Sequence, residues 1–215
     1  MAMLPSTFDR GVSLLCWAYN EEDSIREYLE KAAQLMDSTV EDYEIILIDD
    51  GSTDRTSDVV HDYLERNKDF LKGCDIKYVK HEVNNGKGAA LNTALKTAKG
   101  ELFICMDADS FVEPNALREM VHYFDDEIVG SVLPVIKLKK VKGFTLSLQY
   151  VEYLVNFFLE KVMGILDCIH VTPGPFGVYR KKALDEVNGF DTNNLTEDLE
   201  MALRLQKKNY KIIQT

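Results

Sequence analysis

What the sequence has little of narrows the field first. It has no excess of positive charge: the formal net charge is −11 and the pI is near 4.9. A nucleic-acid partner would need a basic face, so that class is set aside. Any phosphorylated ligand must instead be held by a metal or a few local donors against a repulsive overall field. Nor is there an apolar run of clean transmembrane length. The most apolar long segment, Phe144–Leu166, is interrupted by Glu152, Glu160 and Lys161, and it is expected to form a buried or groove-lining helix. The opening MAMLPSTFDR holds no apolar signal core. Cys16, Cys74, Cys105 and Cys168 show no C-x-x-C spacing. Cys16 and Cys105 sit in apolar, strand-like runs, as small buried hydrophobes do in a reducing compartment. His61, His81, His122 and His170 lack metal-ligand spacing, and there is no G-x-S-x-G for a serine nucleophile. The histidines read as surface or satisfied core residues.

What remains is ordinary globular composition, 46% hydrophobic and 28% charged over 215 residues, enough for one good core. Without internal repeats or a clear linker, one domain spanning 1–215 is expected. Its organising stretch is Glu101–Asp109, ELFICMDAD. Leu102–Met106 reads as a strand covered on both faces, and it ends in two carboxylates, Asp107 and Asp109. That is where open α/β sheets place their ligands. Two acids so close repel unless a cation lies between them, which points to a hard divalent metal, Mg²⁺ or Mn²⁺. The plainer alternative is a pair of loop acids ahead of a helix begun by Pro114.

Around this stretch strands and helices alternate. Strands are expected at Val12–Cys16, Tyr43–Ile48 and Ile76–Val79. The helices between carry inward faces at Ile25, Tyr28, Leu29, Ala32 and Met36, then at Val59, Val60, Tyr63 and Leu64, then over Ala89–Ala98. A fourth helix turns Leu117, Met120, Val121 and Phe124 inward. The pattern predicts an α/β fold, a mostly parallel central sheet flanked by helices. Beyond it lie a strand at Ile128–Val135, a basic connection Lys137-Leu138-Lys139-Lys140, the long helix to about Leu166, a short strand near Val178-Tyr179 and a last helix from Thr196.

A parallel sheet carries the loops after its strands to one edge. Those loops are Tyr19–Glu22, Asp49–Asp54, Asn84–Gly88 and Asp107–Asp109. Gly86-Lys87-Gly88 is neither a dinucleotide fingerprint, since position 91 is Leu, nor a P-loop, since position 82 is Glu. It is a turn presenting one lysine and a helix N-terminus, suited to a phosphate or base, or else a plain turn with a solvent lysine. Asp50 can accept an imide N–H from a pyrimidine, or merely serve a capped turn. Tyr19 offers a stacking face, or is a rim tyrosine. Thr196-Glu197-Asp198 fits ordinary helix capping equally well.

Taken in order, Tyr19-Asn20-Glu21-Glu22, Asp49-Asp50-Gly51-Ser52-Thr53-Asp54, Asn85-Gly86-Lys87-Gly88, Asp107-Ala108-Asp109 and Thr196-Glu197-Asp198 resemble the family 2 glycosyltransferases of the GT-A, Rossmann-like fold. The resemblance runs from Val12 to Ile213. Gly174-Pro175-Phe176-Gly177-Val178-Tyr179-Arg180 and the long preceding helix are similar to the polysaccharide synthase branch, the relatives of hyaluronan, chitin and cellulose synthases.

The resemblance implies a metal-dependent inverting hexosyltransferase that takes a nucleoside-diphosphate sugar, UDP-linked by preference, and a sugar or lipid acceptor. It puts Tyr19 and Glu21 at the base and ribose, Asp50 on the pyrimidine and Lys87 near the nucleotide. Asp107 would lie by the ribose and metal, with Asp109 as direct metal ligand and Asp198 as catalytic base. Gly174, Pro175, Phe176 and Glu197 would border the acceptor and donor sugar. Two departures stand out: Trp17 replaces the Pro or Thr common in relatives, and no Q-x-x-R-W follows the T-E-D segment. The expectation is a cytoplasmic catalytic domain of a longer protein, held at the inner face of the cell membrane by a segment absent from this chain. A sugar nucleotidyltransferase would want a Gly-rich basic loop after the first strand, where Tyr19–Glu22 is acidic. A non-catalytic nucleotide-sugar-binding domain is the other alternative.

Overall fold

The structure, a computed structural model, describes residues 11–67, 75–107, 112–137, 141–172, 175–194 and 196–215. Strands β1 (Val12–Ala18), β2 (Tyr43–Asp49), β3 (Asp75–Lys80) and β4 (Leu102–Asp107) alternate with helices α1 (Ile25–Asp37), α2 (Thr56–Arg66) and α3 (Lys87–Thr97). Then follow α4 (Ala116–Val121), β5 (Val129–Leu133), α5 (Phe144–Ile165), β6 (Gly177–Arg180), α6 (Lys181–Glu186), α7 (Glu197–Lys207) and β7 (Lys211–Gln214). The strands form one sheet in the order β3-β2-β1-β4-β6-β5-β7. β1 pairs in parallel with β2 and β4, as do β2 with β3 and β5 with β7, while β6 runs antiparallel to both β4 and β5. The expected mostly parallel sheet is what forms.

Period-two burial explains the layering. Leu14, Cys16, Ile45, Leu47, Leu102 and Ile104 face one apolar cluster with α1, α2 and α4. Leu15, Ile46, Ile48, Phe103 and Cys105 face a second with α3, α6 and α7. Strands covered on both faces lose the polar alternation of a half-exposed sheet, hence the unbroken apolar runs in the sequence. Each large side chain so buried stabilises the fold by roughly 1.5–3 kcal/mol.

Register carries the strand ends to one edge. Ala18 lies opposite Asp49 and Trp17 opposite Asp107, and Asp49 lies opposite Lys80. Because β6 is reversed, it begins where its neighbours end, with Gly177 opposite Cys105. The segment leading into β6 therefore reaches the same edge as the β1–β4 loops.

Three expectations need correction. α4 begins at Ala116, not at Pro114. Thr196 occupies the N-cap position of α7 without capping it; its hydroxyl donates to Asn194 Oδ1 at 2.9 Å. Of the two alternatives for α5, burial is overturned, since none of its 22 residues is buried, whereas groove-lining holds: Tyr153, Phe157, Leu159 and Met163 line a cavity of about 420 Å³. The apolar pattern of α5 predicts a helix correctly but does not say what the apolar face meets.

Candidate active site

The loops at the sheet's C-terminal edge are stitched to one another by buried polar groups. Asp49 Oδ1 accepts from the backbone N–H of Ser52 at 2.8 Å, closing its own turn, and Asp49 Oδ2 accepts from the Tyr78 hydroxyl at 2.9 Å. Burial pushes that phenol up to about 12, with the Ser57 hydroxyl opposing and Asp49 adding to the rise, so Tyr78 stays a donor. The β1 loop is tied on by several bonds. Asn20 N–H donates to Ser52 Oγ at 2.9 Å, Glu21 N–H to Thr56 Oγ1 at 2.8 Å, and Thr53 N–H to Asn20 Oδ1 at 2.9 Å. Asn20 reaches these partners from a left-handed backbone with φ 56°, a conformation asparagine tolerates better than most residues.

Asp50 is the hinge of the next loop. It is fully buried, and its carboxylate accepts from Asn85 N–H at 3.1 and 3.2 Å and from Gly86 N–H at 2.8 Å. His81 Nδ1 lies 2.7 Å from Oδ1, while His81 Nε2 meets Thr93 Oγ1 on α3 at 3.0 Å. With its acceptor sites so engaged, Asp50 holds the turn before α3 instead of presenting a free oxygen to a base. Gly51 is required here: at φ +77° a Cβ would lie 2.5 Å from the backbone carbon of Val83. His81, an unremarkable histidine in the sequence, is thus the link between β2, β3 and α3.

That turn aims Lys87, the first residue of α3, along the edge. Its ammonium lies 3.0 Å from Asp107 Oδ1 at the end of β4. Burial works against the charge of Lys87, but Asp107, with smaller help from Cys105 and Asp198, holds its pKa above the ordinary lysine value. Cys105 lies beneath: burial drives its thiol up, Lys87 opposes, and Asp107 and Asp198 add to the rise. Asp198 therefore shares an electrostatic neighbourhood with Lys87 and Asp107, although it lies 91 positions from Asp107 in the sequence. Its place is fixed through its own backbone. Both the N–H and the hydroxyl of buried Thr172 donate to Asp198 O, at 3.1 and 2.9 Å. Asn92 on α3 clamps the loop before α7, donating to Phe190 O at 2.7 Å and accepting from Phe190 N–H at 2.8 Å. Thr172 and Asn92 were missed because neither lies in a motif.

The remaining candidates are placed as follows. Tyr19 is exposed at the rim. Glu21 is half-buried, and its carboxylate accepts from Ser24 Oγ. Pro175 is half-buried, whereas Phe176, with φ 65°, turns its side chain into the core beneath the sheet edge. Glu197 opens α7. Asp109, Gly174 and the side chain of Glu197 lie outside the described residues.

The donor chemistry fits a hard cation, since Asp107 offers carboxylate oxygen at the edge and the positive charge now beside it is an ammonium. Among the described residues no three acids, histidines or cysteines gather to hold an ion unaided.

A largely parallel sheet with one reversed strand beyond the acidic β4 is the arrangement of the GT-A glycosyltransferases. The chain belongs to the family described as Glycosyl transferase family 2, whose profile matches residues 13–187. It is 30% identical over 204 residues to a poly-β-1,6-N-acetyl-D-glucosamine synthase of Staphylococcus epidermidis, covering 94% of this chain and 47% of that protein. It is 29% identical over 205 residues to the synthase of the same name from Staphylococcus aureus strain MSSA476, with the same coverage. The chain thus spans about half the length of these curated relatives. Among solved structures it is similar to a mannosyltransferase from Pyrobaculum calidifontis in complex with GDP-Man and Mn²⁺ (TM-score 0.76, 24% identity, 97% of this chain and 55% of that one). It also resembles S. aureus TarS 1–349 in complex with UDP-GlcNAc (TM-score 0.64, 23% identity, 95% and 55%). These structural likenesses show the fold.

Proposed function

We propose that this domain transfers a sugar, with inversion, from a UDP-sugar to a hydroxyl of a saccharide or lipid acceptor in a divalent-metal-dependent reaction. N-acetylglucosamine is the favoured sugar, on the strength of the relatives' names and the UDP-GlcNAc bound to a fold neighbour. The observation that carries the reading is the convergence of Lys87, Asp107 and Asp198 at the mouth of the sheet edge. In this reading Lys87 and Asp107, 3.0 Å apart, meet the departing diphosphate, and Asp198, within electrostatic reach of Lys87, serves the acceptor.

Each residue then has a task. Tyr19 stacks on the base, and Glu21 lies by the ribose. Asp50 acts at one remove, holding the Asn85–Gly86 turn so that Lys87 faces the diphosphate. Asp107 and Asp109 would hold Mg²⁺ or Mn²⁺, which when bound neutralises the charge developing on the departing diphosphate. Asp198 takes the proton of the acceptor hydroxyl as that oxygen forms its bond to the anomeric carbon. The anomeric carbon–oxygen bond to the diphosphate breaks on the opposite face, and UDP departs with the bonding pair. Gly174, Pro175 and Glu197 border the acceptor, while Phe176 supports that border from the core. A position at the cytoplasmic face of a membrane goes with this reading, since the relatives are polysaccharide synthases.

The test is Asp198→Asn. Asn keeps the shape but cannot take the proton, so UDP release from UDP-N-acetylglucosamine with an acceptor oligosaccharide should fall by roughly 10²–10⁴-fold. UDP affinity by calorimetry should be unchanged. Normal turnover with a lowered melting temperature would mean that Asp198 serves only the helix terminus.

A further inference from the structure

Lys87 stands in a place that disfavours a cation. It is the first residue of α3, a helix with no side-chain cap and no acid in its first turn. The N-terminal end of a helix carries partial positive charge and favours anions, so an ammonium there is set against the dipole. Burial opposes its charge as well. The Asp107 carboxylate offsets both, its Oδ1 3.0 Å from Lys87 Nζ, with the two side chains almost equally shielded at 24% and 25% exposed. Cys105 and Asp198 add to that hold.

The backbone beneath the lysine is fixed from either side. Asp50 accepts from Asn85 N–H at 3.1 Å and from Gly86 N–H at 2.8 Å. Gly88 backs on the loop before α7 so closely that a Cβ would come within 3.2 Å of Asp191 O. What can move here is the lysine side chain on its flexible stem, with the turn left in place.

Under the proposed function Asp107 serves a divalent ion, and the inference rests on that reading. An ammonium 3.0 Å from the same carboxylate repels a second cation there. We propose that Lys87 is an exchangeable counter-ion that makes metal binding conditional on the nucleotide. Its ammonium holds Asp107 against a lone Mg²⁺ or Mn²⁺. A nucleoside diphosphate at the start of α3 offers more negative charge than one carboxylate does. Lys87 then swings to the diphosphate, and Asp107 is released to the ion. One side chain is a latch on the metal position first and a diphosphate ligand afterwards. Because linkage is reciprocal, an ion on Asp107 keeps Lys87 on the diphosphate, and the two ligands bind as a pair.

The experiment reads Mn²⁺ binding from the paramagnetic resonance signal of the free ion, and UDP binding by calorimetry. It compares the wild type with Lys87→Met, which keeps an unbranched stem but carries no charge. After subtraction of the UDP–Mn²⁺ complex formed without protein, UDP should tighten Mn²⁺ binding to the wild type by about tenfold or more. Lys87→Met should bind Mn²⁺ alone several-fold more tightly than the wild type and UDP alone more weakly. Its gain in Mn²⁺ affinity from UDP should shrink to about threefold or less. Melting temperature gives a second readout: Mn²⁺ alone should raise that of Lys87→Met more than that of the wild type. If the wild type binds both ligands but Lys87→Met binds Mn²⁺ alone no better, the exchange is overturned and the donor site stands. A wild type that binds neither UDP nor Mn²⁺ would remove the proposed function and the exchange together.

Discussion

The donor edge and the α5 flank obey opposite rules. At the edge, polar atoms are the buried ones: Asp49 and Asp50 are fully buried, and Ser52, Thr56 and Thr172 nearly or fully so. Many of their hydrogen bonds run between loops. On α5 large apolar side chains are the exposed ones, Phe144, Val151, Val155 and Phe158 among them. The first region is specified by the protein itself, because a buried polar group without its partner is costly. The second holds its largest apolar side chains away from the core. A chemically small change should therefore be severe at the edge, while a larger one on α5 should pass unnoticed by the fold.

Asp50→Ala should be the most damaging. It strands the Asn85 and Gly86 N–H groups and His81, with an expected loss of about 3 kcal/mol or more in denaturant unfolding. A loss below 1 kcal/mol would mean that the stitching is incidental. Gly51→Ala comes next. Left-handed strain and the close approach to Val83 should lower stability by about 1–3 kcal/mol, and calorimetric melting would show it. An unchanged melting temperature would deny that the turn is fixed. Smallest is Val155→Ser on α5, expected within about 0.5 kcal/mol of wild type. A larger loss would mean that α5 packs on the body after all, and the contrast would collapse.

Much of the edge is legible in sequence because strand ends are marked by an abrupt change from apolar to acidic residues, as at Met106-Asp107 and Ile48-Asp49. Parallel strands then carry those ends to one side, so Tyr19, Lys87 and Asp107 can be grouped without coordinates. What the sequence hides is which way a side chain is turned and who satisfies it. Asp50 reads as a free carboxylate, yet its partners are 31 to 36 residues away, at His81, Asn85 and Gly86. The pairing depends on the register of β2 against β3. β6 and β7, four residues each, are too short for period-two alternation to show direction, so the reversed strand stayed hidden. For α5 the heptad-like spacing shows a helix but says nothing of inside or outside, which depends on the remaining surface.

The central claim is that Lys87, Asp107 and their neighbours form a nucleotide-sugar site completed by a divalent ion. Titration calorimetry of UDP, with and without Mn²⁺, on the wild type and Asp107→Asn tests it most directly. The account predicts that UDP binds the wild type and that Mn²⁺ tightens binding by about tenfold or more, equivalent to roughly 1.4 kcal/mol. It also predicts that Asp107→Asn abolishes this tightening. UDP that fails to bind under either condition, or an Asp107→Asn protein that responds to Mn²⁺ as the wild type does, would contradict it.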